Sequence, residues 1–439
     1  MIRPLAIALA ILMPSAAMAQ AKPRDTVAAI ATEIRARYFS AEKGDAIADA
    51  LESEAAAGKY DALTDPRDLA SALGNRLRPE DAHFAVTWST EAAAPAPPAG
   101  RLPPPGPGPG GPPRPVGADP ARLGNYGIES AQILPGNIGV ITMRQFAHID
   151  FSNADDPSRR AIDAALAMVA NADAVIIDLR NNGGGSPAMV GYLVSAFTKP
   201  DADIYNTFHD RQGTRTEKPD QFYAKPRLDT PLYILTSGRT GSAGESMPYT
   251  LQAAKRATIV GEASAGAANP GGMVPIPGGY RVFISAGSPI NPITKANWEG
   301  VGVQPDIASV AAGALVAAQK HALRAIVAAD SKRVDAAWAL EVLEITHPAS
   351  ILPAYVKDLS PYAGTYGPLE VIAANQDGTL QVKRGRRPPL TLFALNGDVF
   401  AVVGDPLVRF AFERDGAGKV IAVEQRDPSG GSQRQRRDP

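Results

Sequence analysis

Apolar positions near the start of the chain recur at the spacing of a helix face. They fall three or four residues apart, at Val27, Ile30, Ile34 and Tyr38, which is the period of an amphipathic helix. Asp25 or Thr26 can cap its N-terminus. Alanine-rich helical segments follow from Ala46 and from Arg67 to Leu77. The pattern predicts a small helical N-terminal domain over residues 20–93.

From residue 118 to residue 345, strand-like and helix-like runs alternate. The predicted strands are Ile138–Met143, Ala174–Leu179, Leu232–Thr236, Ala257–Val260 and Tyr280–Ile284. The predicted helices are Arg160–Ala170, Ala188–Phe197 and Gly244–Lys255, with one or two alanine-rich helices over Ala311–Leu343. Such alternation is typical of an α/β domain. We therefore predict an α/β core with terminal helices.

The pattern changes again over residues 346–426, where short runs of period two are separated by turn signals. The predicted strands are Leu369–Ala373, Thr379–Lys383, Leu390–Phe393, Val399–Val403, Val408–Phe412 and Val420–Val423. Asp377-Gly378, Asn396-Gly397 and Asp415-Gly416 lie between runs, and such dipeptides are strong hairpin signals. We predict a small antiparallel β domain, followed by a disordered tail over residues 427–439.

The N-terminus has the pattern of a secretory signal peptide over residues 1–19. Arg3 precedes an apolar run from Leu5 to Met13, and the small residues Ala17 and Ala19 prepare a cleavage site before Gln20. The run is shorter than the roughly 20 residues that span a bilayer, and no later run approaches that length. We expect a bacterial protein that is periplasmic or secreted, with no membrane insertion after cleavage.

Composition excludes several classes of site and partner. The chain has no cysteine, so it has neither disulfides nor a thiolate metal site. Its formal net charge is −1, which gives no reason to expect nucleic acid or an anionic membrane as a partner. No His-Glu-x-x-His or clustered ligand set is present, and we expect no metal and no cofactor. Residues 94–117 are rich in proline and glycine and are predicted to be an extended linker.

The strongest chemical signal is a serine between a predicted strand and a predicted helix. Ser242 follows Gly241 and precedes Ala243 at this turn. Free amides at a helix start can bind an anion that forms beside the serine, which is a common arrangement for a nucleophile in acyl transfer. A serine is also a favoured helix cap, so the turn alone leaves both roles open.

Three segments together resemble a known family. They are DLRNNGGGS (Asp178 to Ser186), LTSGRTGSAGES with the following RATIVGE (Arg256 to Glu262), and NPITKANWEGVGVQPD (Asn291 to Asp306). In order and spacing they resemble the C-terminal processing (tail-specific) proteases, the tricorn core protease and the repeats of interphotoreceptor retinoid-binding protein. The resemblance implies a mixed-sheet serine peptidase core, a peptide or protein substrate and Ser242 as the nucleophile. It leaves assembly into a homo-oligomer open.

The resemblance also implies which branch supplies the base. Tail-specific proteases use a lysine after the serine, but the corresponding stretch, Ser264 to Ala268, contains none, and Lys255 and Lys295 lie at unsuitable positions. The tricorn-like and retinoid-binding-protein-like branch uses a histidine and a glutamate, and these positions are His83 and Glu299. A neighbouring imidazole activates a serine hydroxyl, and a carboxylate orients and stabilises the resulting imidazolium.

In the tricorn protease a serine precedes the histidine and links it to the glutamate. Here that position is Ala82. The relay is therefore direct, or it uses water, Asp81 or another group. His148 and His209 are the next candidates for a histidine that faces the cleft.

The glycine turn Gly183-Gly184-Gly185 follows a predicted strand. Glycines let a backbone approach a substrate closely, and an amide of this turn, with that of Ala243, would complete an oxyanion hole. Gly183 and Gly184 are the leading candidates, and a plain tight turn is the alternative.

Two other functions use similar features. The α/β-hydrolase esterases need a glycine two residues before the serine, where this chain has Thr240, and a histidine after it, where only His321 and His347 are available. A non-catalytic protein for small apolar ligands on the same fold is the second alternative. No PDZ-like segment precedes the α/β core, so specificity for C-terminal tails is not expected.

Overall fold

The computed structural model describes residues 22–89, 120–346, 358–374, 378–385 and 387–439. The predicted signal peptide and the linker at 94–117 lie outside these residues. The chain divides into two compact units. The first comprises the described part of Met1–Pro103 with Phe208–Thr214 and Asn269–Ser288, and the second comprises the remaining segments.

The first unit packs three helices against a small antiparallel sheet. The helices are Pro23–Arg37, Ala41–Ala56 and Pro66–Leu77, and the sheet has the order Val86–Trp88, Tyr280–Ser285, Gly271–Ile276. Ser40 and Asp65 cap the second and third helices. Leu51, Phe84 and Val282 are among the side chains of their shared core. The helical prediction is confirmed, but Tyr280–Ser285, predicted for the α/β core, belongs to this unit.

The second unit is built on a six-stranded mixed sheet. Its strands, in spatial order, are Ile307–Ala308, Thr258–Gly261, Leu232–Thr236, Ala174–Asp178, Ile138–Met143 and Ile128–Leu134. Only the last pair is antiparallel. Ile128–Leu134 was not among the predicted strands, and its burial does not alternate regularly.

Helices cover both faces of this sheet. Pro157–Met168, Pro187–Ser195 and Ala243–Ala253 share one core with Ile177, whereas Ala314–Ala329 and Val334–Thr346 share another with Ile176. Adjacent strand residues point to opposite faces, which explains why both sides of the strand Ala174–Asp178 are apolar. Mixed α/β architecture is therefore confirmed.

Several short elements complete the description. They are the helix Pro120–Leu123, the 3₁₀ turns Asn125–Gly127, Ala311–Gly313 and Ser360–Tyr362, and the strands Thr207–Asp210, Gly213–Thr216 and Gly287–Ile290. Within the described residues no helix has the length and apolarity needed to cross a membrane.

The C-terminal region is an antiparallel sheet whose strands pair in chain order. They are Gly364–Tyr366, Leu369–Ala374, Thr379–Arg384, Leu390–Ala394, Val399–Val402, Asp405–Arg414, Val420–Arg426 and Ser432–Arg436. The Asp438 amide donates to the Thr365 carbonyl at 2.9 Å, so the two ends of the sheet meet and nearly close a barrel. Tyr366, Phe400 and Phe412 lie in its core.

The predicted β domain is confirmed, but the prediction of a disordered tail over residues 427–439 is wrong. Ser432–Arg436 pairs with Val420–Arg426 as the last strand of the sheet. Its side chains are polar and mostly exposed, so it has no apolar alternation for a sequence reading to detect. Backbone pairing, rather than burial, keeps it in place.

Candidate active site

The Ser242 turn lies beside the glycine turn because their strands are neighbours. Ala174–Asp178 and Leu232–Thr236 pair in parallel, with Asp178 opposite Leu235, so both turns leave the same edge of the sheet. Thr240, fully buried, donates its hydroxyl to the Leu179 carbonyl at 2.7 Å. The Ser237 hydroxyl donates to the Arg180 carbonyl at 2.6 Å. The two turns are thereby fastened together.

Ser242 has a backbone conformation that is rare for its residue type. Its φ is 54° and its ψ is −125°, directly before the helix Ala243–Ala253. A side chain in such a region is strained, and this strain occurs preferentially at functional sites. The Ser242 amide donates to the Glu245 carboxylate at 2.8 Å, and the Glu245 amide donates to the Ser242 carbonyl at 2.8 Å. Ser242 and Glu245 thus form the capping box of this helix.

The glycine turn touches this serine directly. Gly184 has a φ of +111°, and a Cβ atom added to it would lie 2.8 Å from the Ser242 Cβ and 3.0 Å from the Gly241 carbonyl oxygen. Gly185 has a φ of +137°, and its added Cβ would lie 2.1 Å from the Phe146 carbonyl oxygen. Only glycine fits both positions. The turn therefore depends on its glycines for contact with Ser242.

The amides of this region differ in their hydrogen bonding. The Gly184 amide donates to the Asn182 Oδ1 atom at 2.9 Å. Gly183 is exposed, and among the described residues neither its amide nor that of Ala243 has an acceptor. Gly183, in the turn that contacts Ser242, and Ala243, next to Ser242 in the chain, thus each have an unused N–H group, whereas the N–H group of Gly184 is already occupied.

Glu245 holds the loop in which tail-specific proteases carry their lysine. The buried Glu245 carboxylate accepts from the Ser264 hydroxyl at 2.6 Å and from the amides of Gly266 and Ala267 at 2.7 and 2.9 Å. Burial raises the pKa of Glu245, against the effect of these hydrogen bonds. This loop, Ser264 to Ala268, contains no lysine side chain. Lys255 lies beyond the far end of the helix Ala243–Ala253, a helix that by itself spans about 16 Å at 1.5 Å per residue.

Glu299 lies against the same loop. Its Oε2 atom accepts from the Ala268 amide at 2.7 Å, and the Gly300 amide donates to the Gly266 carbonyl at 2.8 Å. The Ala265 amide in turn donates to the Thr240 carbonyl at 2.9 Å. The Glu299 segment and the Ser242 turn are therefore hydrogen-bonded to the same loop.

His83 belongs to the first unit, where it lies beside a buried acid. Its Nδ1 atom is 3.5 Å from the Asp81 Oδ1 atom, and its amide donates to that oxygen at 2.9 Å. Its ring stacks on Phe283 with 5.5 Å between centroids. The Tyr38 hydroxyl and the Asn269 amide group each donate to the Asp81 Oδ2 atom at 3.2 Å. The position of His83 relative to Ser242 stays a prediction.

Asp81 carries a negative charge in this arrangement. Burial favours its neutral form, but contacts from the His83 side chain and amide outweigh this, and the pKa of Asp81 lies well below its usual range. Sequence analysis named Asp81 only as one option for the relay. The sequence shows that Asp81 lies two residues before His83, but it does not show that Asp81 is buried.

The other histidines lie elsewhere. His148 Nδ1 is 3.1 Å from the Ser186 hydroxyl, on the exposed side of the glycine turn. His209 pairs with Thr214 in the first unit. The Tyr233 hydroxyl is 2.9 Å from His321 Nδ1, where a helix covers the opposite face of the sheet. His347 lies outside the described residues.

Sequence reasoning missed a buried acid beneath the helix that follows Ser242. Glu217 is fully buried and accepts from the Ser246 hydroxyl at 2.7 and 2.8 Å and from the Asn206 amide group at 2.9 Å. Asn206 also donates to Thr250 and accepts from Asn291. Burial raises the pKa of Glu217 to about 7, although these hydrogen bonds oppose the rise. Glu217 lies in a polar loop of the sequence, which gives no sign of its burial.

Part of the chain is similar to known peptidases. Residues 137–309 match peptidase family S41. The carboxyl-terminal-processing protease of Synechocystis sp. (strain ATCC 27184 / PCC 6803 / Kazusa) is 34% identical over 135 residues, which are 30% of this chain and 29% of that protein. Carboxyl-terminal-processing peptidase 1, chloroplastic, of Arabidopsis thaliana is 24% identical over 189 residues, which are 43% of this chain and 37% of that protein.

Solved structures that align with part of this chain include the photosystem II D1 C-terminal processing protease, with a TM-score of 0.32 and 24% identity over 40% of this chain and 43% of that one. The tricorn protease aligns with a TM-score of 0.26 and 16% identity over 42% of this chain and 16% of that one. The chain spans about a third of the length of the curated relatives named above.

Proposed function

Because residues 137–309 match peptidase family S41, we propose that this chain is an exported serine peptidase that cleaves peptide bonds through an acyl-enzyme. The observation that carries the proposal is Ser242 itself. It has a strained backbone conformation and a glycine turn in contact with its side chain. A serine that only capped the helix would need neither the strain nor the glycines.

In the proposed reaction the Ser242 hydroxyl oxygen attacks the scissile carbonyl carbon, and its proton passes to His83. The carbonyl oxygen becomes negatively charged and is stabilised by the unused amides of Gly183 and Ala243. The intermediate collapses when the C–N bond breaks and His83 returns the proton to the leaving amine. Water then attacks the acyl-enzyme by the same route and releases the new carboxylate.

Glu299 is the proposed carboxylate that orients the base. It is held by the Ala268 amide, next to the loop that packs on the Ser242 turn. We propose that Asp81 supports it, because its ionised carboxylate lies 3.5 Å from the His83 ring and favours the imidazolium formed in the reaction. Asp81 thus stands in for the serine that precedes the histidine in the tricorn relay.

Peptides and proteins are the proposed substrates, and the periplasm or the cell exterior is the proposed location. The proposed substrates follow from the match to a peptidase family. The proposed location rests on the signal-peptide pattern of residues 1–19. The absence of lysine from Ser264 to Ala268 favours the histidine branch over the Ser–Lys branch.

A peptide library tests this function and identifies the cleavage specificity. Wild-type protein is incubated with the library and the products are identified by mass spectrometry, with Ser242→Ala as the control. We expect a consistent cleavage pattern with wild type and none with the variant. Identical product patterns from both proteins would refute the proposal.

A further inference from the structure

Asn182 joins the two turns of the proposed active site. It is fully buried and follows the strand Ala174–Asp178, and its own amide donates to the Leu179 carbonyl at 3.0 Å. The mechanism above gives it no part. Its neighbours on either side, Asn181 and Gly183, are both exposed, so the burial is specific to this residue.

The backbone and the side chain of Asn182 form hydrogen bonds to different turns. Its backbone carbonyl accepts from the Gly241 amide at 3.0 Å, which fastens the Ser242 turn. Its side-chain Oδ1 atom accepts from the Gly184 amide at 2.9 Å, which fixes the orientation of the glycine turn. Gly244 approaches so closely that an added Cβ would lie 2.7 Å from the Asn182 carbonyl oxygen. One residue therefore sets the distance between the two turns that supply the amides.

The Asn182 side chain is not optimised for stability. Its Nδ2 group is buried and has no acceptor among the described residues. A buried donor without a partner destabilises the folded state, and such groups are rare in folded proteins. Packing alone would favour an apolar side chain at this position. The side-chain amide of Asn182 therefore requires an explanation from function.

The chemistry of the site supplies that explanation. The Gly184 amide needs an acceptor that leaves the Gly183 amide free, and an oxyanion forms nearby during the reaction. An aspartate would provide the same acceptor but would place a second negative charge close to the first, which disfavours the transition state. An asparagine provides a neutral acceptor, and its unpaired Nδ2 group is the consequence.

We propose that Asn182 is a positioning residue for the oxyanion hole. It holds the glycine turn against the Ser242 turn so that the Gly183 and Ala243 amides converge on one point without adding charge there. This inference rests on the proposed peptidase function.

Two substitutions separate positioning from simple packing. Asn182→Leu preserves the approximate size and removes the acceptor, whereas Asn182→Asp preserves the acceptor and adds a charge. Asn181→Leu, at the exposed neighbour, is the matched control. For each protein, kcat and KM are measured on one peptide substrate between pH 6 and pH 9. The rate of Ser242 labelling by a fluorophosphonate and the thermal unfolding midpoint are measured in parallel.

We expect Asn182→Leu to lower kcat about 10- to 100-fold, as a small misplacement of catalytic groups does, with KM within about twofold of the wild-type value. Asn182→Asp should show a kcat ratio to wild type that falls as pH rises, because its carboxyl then ionises. The Asn181→Leu control should match wild type in both constants.

A wild-type kcat in either folded Asn182 variant would overturn the inference, and so would an increase in kcat, which would mean that Asn182 competes for a catalytic amide. If Asn182→Leu does not fold, the pH dependence of Asn182→Asp decides alone. Failure of the proposed function is recognised separately, because wild-type protein would then neither cleave the peptide nor react at Ser242.

Discussion

Glu217 offers a quantitative test of the packing beneath the helix that begins after Ser242. Its pKa is raised from 4.5 to about 7 because the carboxyl is fully buried. Between these two values the folded state holds a proton that the unfolded state has lost. The contribution of Glu217 to the free energy of unfolding is therefore at its full value below about pH 4.5 and is lost as pH rises to about 7. At about 1.4 kcal/mol per pKa unit, the total loss is about 3 kcal/mol.

The substitution Glu217→Gln removes this titration while keeping the shape of the side chain. Its carbonyl can accept from Asn206, and its amide can donate to the Ser246 hydroxyl. We expect wild type to lose about 2.5 kcal/mol of unfolding free energy from this group between pH 5 and pH 8. Glu217→Gln should not show this loss. The free energy of unfolding of the variant, measured relative to wild type, should therefore rise by about 2.5 kcal/mol between pH 5 and pH 8.

Urea unfolding followed by circular dichroism at several pH values measures the difference. Carboxyl groups common to both proteins cancel when the two curves are subtracted. Asp201→Asn is the control, because it removes an exposed carboxyl of the same unit and should leave the pH dependence unchanged. Parallel curves for wild type and Glu217→Gln would refute the reasoning, since the carboxyl would then titrate alike in both states.

Further predictions concern the catalytic groups and the linker. Gly184→Ala places a Cβ 2.8 Å from that of Ser242 and should lower kcat at least about 100-fold; near-normal turnover in a steady-state assay would contradict the packing of the two turns. Asp81→Asn removes a charge 3.5 Å from His83, so the acid limb of the pH–rate profile should move to lower pH, and an unmoved limb would exclude Asp81 from the relay. Deletion of Pro103–Pro113 should change the unfolding free energy by no more than about 0.6 kcal/mol and leave peptide turnover intact, whereas loss of turnover would give the linker a direct role.

The sequence contained most of the secondary structure that positions the site. Helical periodicity identified the first unit, and the apolar runs at Ala174 and Leu232 identified the two strands whose ends carry the turns. These signals are local, because period and turn chemistry depend on neighbouring residues. The strand Ser432–Arg436 was missed because its pairing with the preceding strand Val420–Arg426, rather than its own pattern, determines it.

The candidate site was predictable in part. Ser242, the glycine turn and Glu299 belong to recognisable segments, and the structure places the Ser242 turn beside the glycine turn and Glu299 against the loop at Ala268. Their catalytic roles stay predictions. The contacts of Asn182, Glu217 and Asp81 could not be predicted, since each depends on burial or on partners far along the chain. All three are polar or charged residues, which a composition-based reading assigns to exposed turns.

The claim that Ser242 is an activated nucleophile is tested most directly by fluorophosphonate labelling with identification of the modified peptide by mass spectrometry. The account predicts one labelled residue, Ser242, in the folded wild-type protein, with labelling abolished in Ser242→Ala and strongly slowed in His83→Ala. Labelling of Ser242 at the same rate in His83→Ala would contradict the proposed base. No labelling of the folded wild-type protein, or labelling at another residue, would contradict the central claim.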